Sequence, residues 1–518
     1  MKQRKPFRIA FPAFCDRAAA WIAGVFFACL TVVSLVMTCR IDIGYSAENS
    51  EHVSFLLDNV PVNLLVLAAA AALVCLLFSR RLTEGHALTA MLIVSVLSAV
   101  LGVVWVTASK SLPSADSASI LAGAEAVLSG NGDALVNGGY FRKYPFQLGY
   151  LLWTELIYRV FGIGNTTALG ILNVVCVLAT DWAVFCISKK LFDEPGVHFL
   201  TAVFLGLCLQ PVFLCTFLYG FVPGLAFASW SLYFVIVTVR SDRPLLLIPA
   251  GVLIALAIAV KTNFQLFFIA ECIVLALYIV LSRRLVALAL TALSVLLCIF
   301  APKLVQGHYE KRLDTSFGSG TPLTAWLVTG MRESSFCSGW WNGYTWTVYA
   351  DNGYDLEKTK AQIRTDALEQ LDLFLHRPRY LASFLFHKVT SQWNEPMYQS
   401  IWASASGKRT APAADWVTSL GTGRAAHTVE AVFNQIMQIV YVGLTVGLFA
   451  LTRREHSRPE RTLIPVVLIG GVLYHAMFEA KAMYSIIYVP LMLPFAAFGY
   501  QVLSGGITRK KGASRADL

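Results

Sequence analysis

An all-α polytopic membrane protein, a bundle of about twelve transmembrane helices with two large outer loops, is the fold class the sequence predicts. Composition is the first observation: of 518 residues, 57% are hydrophobic and 14% charged, whereas soluble globular domains carry roughly 45–50% and about 25%. The second is that apolar runs of about 20 residues, the length that crosses a bilayer, recur from end to end. The third is that basic residues cluster in the short gaps between those runs. An ordinary soluble enzyme is excluded, and about half the chain is left for loops.

The N-terminal stretch Met1 to Arg17 is basic (Lys2, Arg4, Lys5, Arg8, Arg17) and precedes an apolar run without an A-x-A cleavage site. It reads as a retained first span with a cytoplasmic N-terminus. Further spans are expected near 60–79, 88–108, 165–188, 197–217, 223–240, 244–261, 264–282, 285–303, 429–451, 463–480 and 484–503, after a first near 18–38. Arg80-Arg81, Lys189-Lys190, Arg240 with Arg243, Arg283-Arg284, and Arg453-Arg454 with Arg458 and Arg461 then share one side with Arg509, Lys510 and Lys511. The 39–59 loop carries Asp42, Glu48, Glu51 and Asp58 against Arg40 alone, as an outer loop should. The formal net charge of +10 therefore reports orientation, and no nucleic-acid-binding stripe is visible. Five segments follow: 1–108 with spans 1–3, an outer loop at 109–164, 165–303 with spans 4–9, a second outer loop at 304–428, and 429–518 with spans 10–12 and a basic cytoplasmic tail. The 11 cysteines lie mostly inside apolar runs and form no C-x-x-C pair, so neither a zinc knuckle nor a disulfide framework is expected. Cys39 and Cys337, both outside, are the pair a single bridge would join.

The first outer loop holds a polar segment around Gly130-Asn131-Gly132 and Asn137-Gly138-Gly139. Phe146 to Phe161 follows, too short to cross and expected to lie along the outer surface as an amphipathic helix. The second loop holds an aromatic cluster (Trp340, Trp341, Tyr344, Trp346, Tyr349) and a helix-like run from about Thr359 to Gln392. The aromatics read either as a stacking surface for a sugar or acceptor, or as a belt seating the loop on the bilayer. No stretch there is long enough for an independent core.

Three constellations carry candidate chemistry. Pro113-Ser114-Ala115-Asp116 places a carboxylate just beyond the end of an outward-going span, suited to accept a proton from an acceptor hydroxyl. The same residues read as a helix start, with Ser114 or Asp116 as the cap. In Gly139 to Gln147, Arg142 and Lys143 lie between Tyr140 and Tyr144 on the side cations disfavour. They suit a phosphate held at the membrane surface, the plain alternative being headgroup snorkelling. Finally Lys261, then Lys388, Trp393 and Glu395, then Glu479, Lys481 and Tyr484 bring ionisable groups from three separated segments to one face. A charge at the rim of a span is costly unless paired or wet, so this grouping fits an anionic lipid head. Asp181 and Glu271 lie deeper and are expected to pair with a polar neighbour.

The order of these elements resembles the GT-C superfamily of membrane glycosyltransferases, most closely its family 39-like members related to protein O-mannosyltransferases and the lipid A aminoarabinose transferase. Their late Glu-Ala-Lys-x-x-Tyr element is like Glu479-Ala480-Lys481-Ala482-Met483-Tyr484. The resemblance runs from about residue 88 onward. It implies a GT-C-like fold and a sugar donor linked to a polyprenyl phosphate. It also implies Asp116 as the base that deprotonates a glycan, lipid or protein acceptor, and Lys143, beside Arg142, as the cation that neutralises the departing phosphate. Lys261 and Lys481 would be supporting cations, with inversion the usual outcome. Tyr140, Tyr144, Lys388, Trp393, Glu395, Glu479 and Tyr484 would complete the substrate pocket. Leu218 to Gly224 lacks the second acid with which oligosaccharyltransferases hold a divalent metal, so no metal or other cofactor is assigned. Two spans also precede the Asp116 loop where many relatives have one.

Two rival classes remain at this stage. A transporter or flippase of a lipid-linked saccharide should show paired repeats and discontinuous spans, and no internal repeat is visible. A scaffold that keeps the fold without catalysis would leave Asp116 dispensable.

Overall fold

The computed structural model describes residues 5–41, 51–132, 135, 139–405, 409, 411–421, 423–453 and 458–516. Lys2, Arg4, Asp42, Glu48, Asn137, Gly138 and Arg454 lie outside them. The protein is an all-α polytopic membrane protein. Among the described residues ten helices are long and apolar enough to cross a bilayer, from Ala13–Val36 to Ala482–Gly505. Two of the twelve expected spans form shorter helices instead, Leu247–Val260 with 14 residues and Leu463–Met477 with 15. At 1.5 Å per residue these rise only about 21–23 Å, less than the roughly 30 Å of a hydrocarbon core. Both stop where the candidate site begins, one at Lys261 and the other just before Glu479. Irregular backbone at such depth is tolerated where protein surrounds it. Here the breaks at 261–264 and 478–488 are buried under neighbouring helices and the second large loop.

The expected first span runs to 38, but the helix ends at Val36 and the chain turns into a two-stranded antiparallel hairpin, β1 (Met37–Ile41) and β2 (Val53–Leu57), with Cys39 opposite Phe55. Both outer edges of this hairpin are satisfied. Cys39 N–H donates to the Asn394 carbonyl at 3.1 Å and Val53 N–H to the Phe336 carbonyl at 3.1 Å, so the second large loop supplies the partners that an isolated hairpin lacks. Cys39 and Cys337 are both free thiols.

The run from Thr359 to Gln392 is not one helix but two, Leu356–His376 and Pro378–Trp393. Pro378 lacks the N–H to continue the first helix and starts the second, the position where proline is tolerated. The expected amphipathic helix is present at Leu148–Phe161. It buries Tyr150, Thr154, Glu155 and Tyr158 and leaves Leu156, Val160 and Phe161 exposed. Within the second loop Ala325, Val328, Val348 and Ile363 form a small apolar cluster of their own, while Phe317, Trp340 and Trp393 join the main core. Glu271 finds its expected polar partner, accepting from the Ser231 hydroxyl at 2.7 Å.

Basic clusters gather at the end of the bundle opposite the large loops. Arg240 and Arg458 meet Asp193 there at 3.3 and 2.5 Å, and the buried Arg461 donates to the Leu191 carbonyl at 2.8 Å.

Candidate active site

Asp116 stands in the first turn of the helix Ala115–Leu128. Ser114 holds the cap position but its side chain makes no capping bond, and the Asp116 carboxylate instead accepts the Tyr219 hydroxyl at 2.6 Å. Gln147 donates to that hydroxyl in turn, at 2.5 Å. Ala115, immediately before the acid, has φ of +48°, a left-handed conformation that costs a residue with a Cβ roughly 1–2 kcal/mol.

Lys261 caps the short helix Leu247–Val260 and is almost wholly buried, 6% exposed. Its ammonium lies 3.4 Å from the centre of the Tyr219 ring and 4.7 Å from that of Phe221. Tyr219 thus holds the acid with its hydroxyl and the cation with its face, a favourable seat for a desolvated ammonium. Gly220 makes this approach feasible. Its φ is +84°, and a Cβ there would lie 2.7 Å from the Val260 carbonyl oxygen.

The third segment is braced by the second large loop. Glu479 N–H donates to the Trp326 carbonyl at 3.0 Å and Ala480 N–H to that of Gly339 at 2.8 Å. Tyr484 donates to the Glu479 carboxylate at 3.0 Å, and its ring lies 5.8 Å from Phe221, which ties this segment to the Lys261 seat. Lys481 lies 2.6 Å from the Glu51 carboxylate and 5.3 Å from the centre of the Trp402 ring. Lys388 is fully buried, and its ammonium donates to the Gly330 carbonyl at 2.5 Å. Burial brings its pKa down to about 7, against the attraction of Glu479.

The remaining sequence candidates fall at the rim or in the frame. Lys143 rests on the Trp346 ring at 3.4 Å and Arg142 on Tyr354 at 4.2 Å. Burial lowers the Lys143 pKa, opposed by Asp351. The chain of rings Tyr140, Tyr144 and Trp346, spaced 5.1 and 6.0 Å, joins this rim to the Asp116 side. Burial raises the pKa of both tyrosines, with the Asp116 charge adding to it. Glu395 accepts the N–H groups of Met397 and Gln399 at 3.0 and 2.7 Å, fixing a turn in which Tyr398 and Gln399 both adopt positive φ. Burial pushes its pKa to about 8, against those two bonds. Trp393 is a core residue, packed at 5.6–6.1 Å against Phe26, Phe27 and Tyr488. Of the aromatic cluster, Trp340 is buried on Ser391 and Tyr349 is buried, while Trp346 meets a candidate cation. Among the described residues no group of three or more His, Cys, Asp and Glu converges as a metal site would require.

Three site residues escape sequence reading: Tyr219, Gln147 and Glu51. Tyr219-Gly220 directly before an apolar span is the signal for the first, because glycine there permits a tight turn. Glu51 carries no local signal, since its partner is 430 residues away.

Ten apolar spans among the described residues, with Asp116 and Lys261 meeting on Tyr219 near the two large loops, define a multi-pass membrane protein with a polar candidate site beside those loops. Residues 144–305 match the family model described as dolichyl-phosphate-mannose-protein mannosyltransferase, a family of the GT-C superfamily. The match supports a membrane glycosyltransferase of the GT-C type, with a sugar donor and an acceptor. No curated protein matches the chain.

Proposed function

We propose that the protein transfers a sugar from a polyprenyl-phosphate-linked donor to an acceptor hydroxyl on the non-cytoplasmic face, with inversion, in assembly of a cell-envelope glycan or glycoconjugate. The observation that carries this reading is the shared use of Tyr219. One aromatic side chain presents a carboxylate on its hydroxyl and an ammonium on its face. Direct displacement at an anomeric carbon needs both. The acceptor oxygen forms its bond to the carbon and gives its proton to Asp116. The carbon–phosphate-oxygen bond breaks, and its electron pair leaves with the phosphate. Lys261 stabilises the charge developing there, with Lys481 beyond it and Lys143 and Arg142 at the rim. The positive-inside tendency of the basic end favours a non-cytoplasmic position for the loop end.

Replacing Asp116 by Asn tests the reading. Turnover with a polyprenyl-phosphate-sugar should fall by about 10²–10⁴-fold, the usual contribution of a general base, while donor binding persists. Undiminished transfer would overturn it, and would favour transport or scaffolding. Mass spectrometry of lipid-linked sugars accumulating in a deletion strain identifies the unused donor.

A further inference from the structure

Three lysines from separate segments stand around the candidate site, Lys261 and Lys388 buried and Lys481 partly buried, and their ammonium groups are satisfied in three different ways. That of Lys261 rests on aromatic faces and that of Lys388 on a backbone carbonyl. That of Lys481 meets a carboxylate, Glu51, at 2.6 Å, with the two side chains 18% and 8% exposed. Glu51 does not come from the region that matches the mannosyltransferase family. It lies two residues before β2, in the hairpin that the N-terminal helices add to the bundle. That hairpin is fixed on both edges, to Asn394 and Phe336, and Arg40 of β1 forms an ion pair with Glu430 at 2.5 Å. Asn394 also donates to the Met37 carbonyl at 2.7 Å. Glu51 is therefore presented to Lys481 by a firmly docked element.

An ammonium in direct contact with a carboxylate attracts a phosphate less than a free one does, because the two charges cancel at the distance where the phosphate would sit. Within the proposed transferase reading, we infer that Glu51 sets the affinity of the site for the lipid phosphate by neutralising Lys481. The N-terminal hairpin acts as an internal anion that competes with the phosphate. The function of the added N-terminal unit follows: it keeps the site from holding the polyprenyl-phosphate product too tightly after the sugar has left.

Binding of a short polyprenyl phosphate to the purified full chain in detergent tests this, measured for wild type, Glu51→Gln, Lys481→Gln and the double variant. Glu51→Gln should bind about tenfold more tightly, a modest fraction of the Coulomb energy of a partly buried charge. The double variant should lose that gain and return close to wild type, whereas Lys481→Gln alone should bind more weakly than wild type, because it leaves the Glu51 carboxylate uncompensated beside the phosphate. Glu51→Asp, which keeps the charge, should also resemble wild type, and guards against a Glu51→Gln chain that is merely misfolded. Unchanged or weaker binding by Glu51→Gln, no binding by any variant, or a gain that survives loss of Lys481 would each overturn the inference. Sugar transfer, assayed in parallel with Asp116→Asn, separates this result from the transferase reading. Intact, Asp116-dependent transfer with unaltered phosphate affinity removes the inference and leaves the reaction. No transfer from any polyprenyl donor removes the reaction.

Discussion

The ammonium of Lys261 lies 3.4 Å above the ring of Tyr219, whose hydroxyl is bonded to Asp116. Two separable interactions meet on one side chain, and substitution can part them. Tyr219→Phe keeps the ring under Lys261 but removes the bond to the carboxylate. A hydrogen bond to a charged group contributes about 1.5–3 kcal/mol, so kcat should drop by roughly 10–100-fold with little change in donor KM. Tyr219→Ala removes the seat of the ammonium as well, and should raise donor KM in addition. Steady-state kinetics with a polyprenyl-phosphate-sugar check both. Equal effects of the two substitutions on KM would show that the ring does not seat the cation.

Gly220 makes the next prediction, through geometry rather than charge. A Cβ there meets the Val260 carbonyl at 2.7 Å, in a residue with φ of +84°. Gly220→Ala combines a left-handed penalty of about 1–2 kcal/mol with a displacement of the helix end that carries Lys261. The variant should melt at lower temperature in detergent and lose activity beyond what its stability loss explains. Thermal denaturation alongside kinetics at a temperature where both proteins remain folded separates the two effects.

Lys388 gives a pH signature. Its pKa is about 7 in the folded protein because burial disfavours the charge, against an ordinary value of 10.5. The unfolded chain therefore binds the proton more tightly between pH 7 and 10.5. By linkage this residue's contribution makes folding more favourable as pH rises through that window, and constant below it. Lys388→Met should flatten the corresponding rise of melting temperature between pH 7 and pH 9. Parallel slopes for the two proteins would contradict the assignment.

Periodicity and charge sidedness made most of the bundle legible, because long apolar helices follow from composition alone. They could not show that two spans would stop short at Lys261 and before Glu479, since apolar content does not determine where a helix breaks. The hairpin at 37–57 was hidden for a related reason. Its strands are held by the Asn394 and Phe336 carbonyls, which are remote in sequence. At the site, Asp116, Lys261, Glu479, Lys481 and Tyr484 were readable as ionisable or polar groups at the ends of apolar runs. Tyr219 and Glu51 were not, because each matters only through a partner on another segment. Trp393 and Glu395 shared the signal of the site residues, and the structure gives them packing and turn-shaping roles instead.

Glu155 supports the last prediction. It is 2% exposed and lies on the amphipathic helix Leu148–Phe161. It accepts the Tyr309 hydroxyl at 2.5 Å and meets Arg312 and Arg159 at 2.6 Å each. Burial alone would raise its pKa, but Tyr309, Arg312 and Arg159 outweigh it and hold the carboxyl below its ordinary value. Stability from this group is therefore present above the ordinary carboxylate range and lost as pH falls through the lowered one. Arg159 and Arg312 are partly exposed, with side chains 52% and 31% accessible, so solvent screens their loss; the buried Tyr309 hydroxyl left without its acceptor costs about 1–3 kcal/mol. Glu155→Ala should lower the melting temperature and detach the amphipathic helix from the helix Leu285–Arg312. The amphipathic helix carries Gly149, where a Cβ would lie 1.6 Å from the Ala259 carbonyl oxygen, two residues before Lys261. Loosening it should therefore reduce transfer as well, although Glu155 touches none of the reacting groups. Hydrogen exchange across residues 148–161 reads the detachment directly, and unchanged protection there would show that the cluster does not anchor the helix.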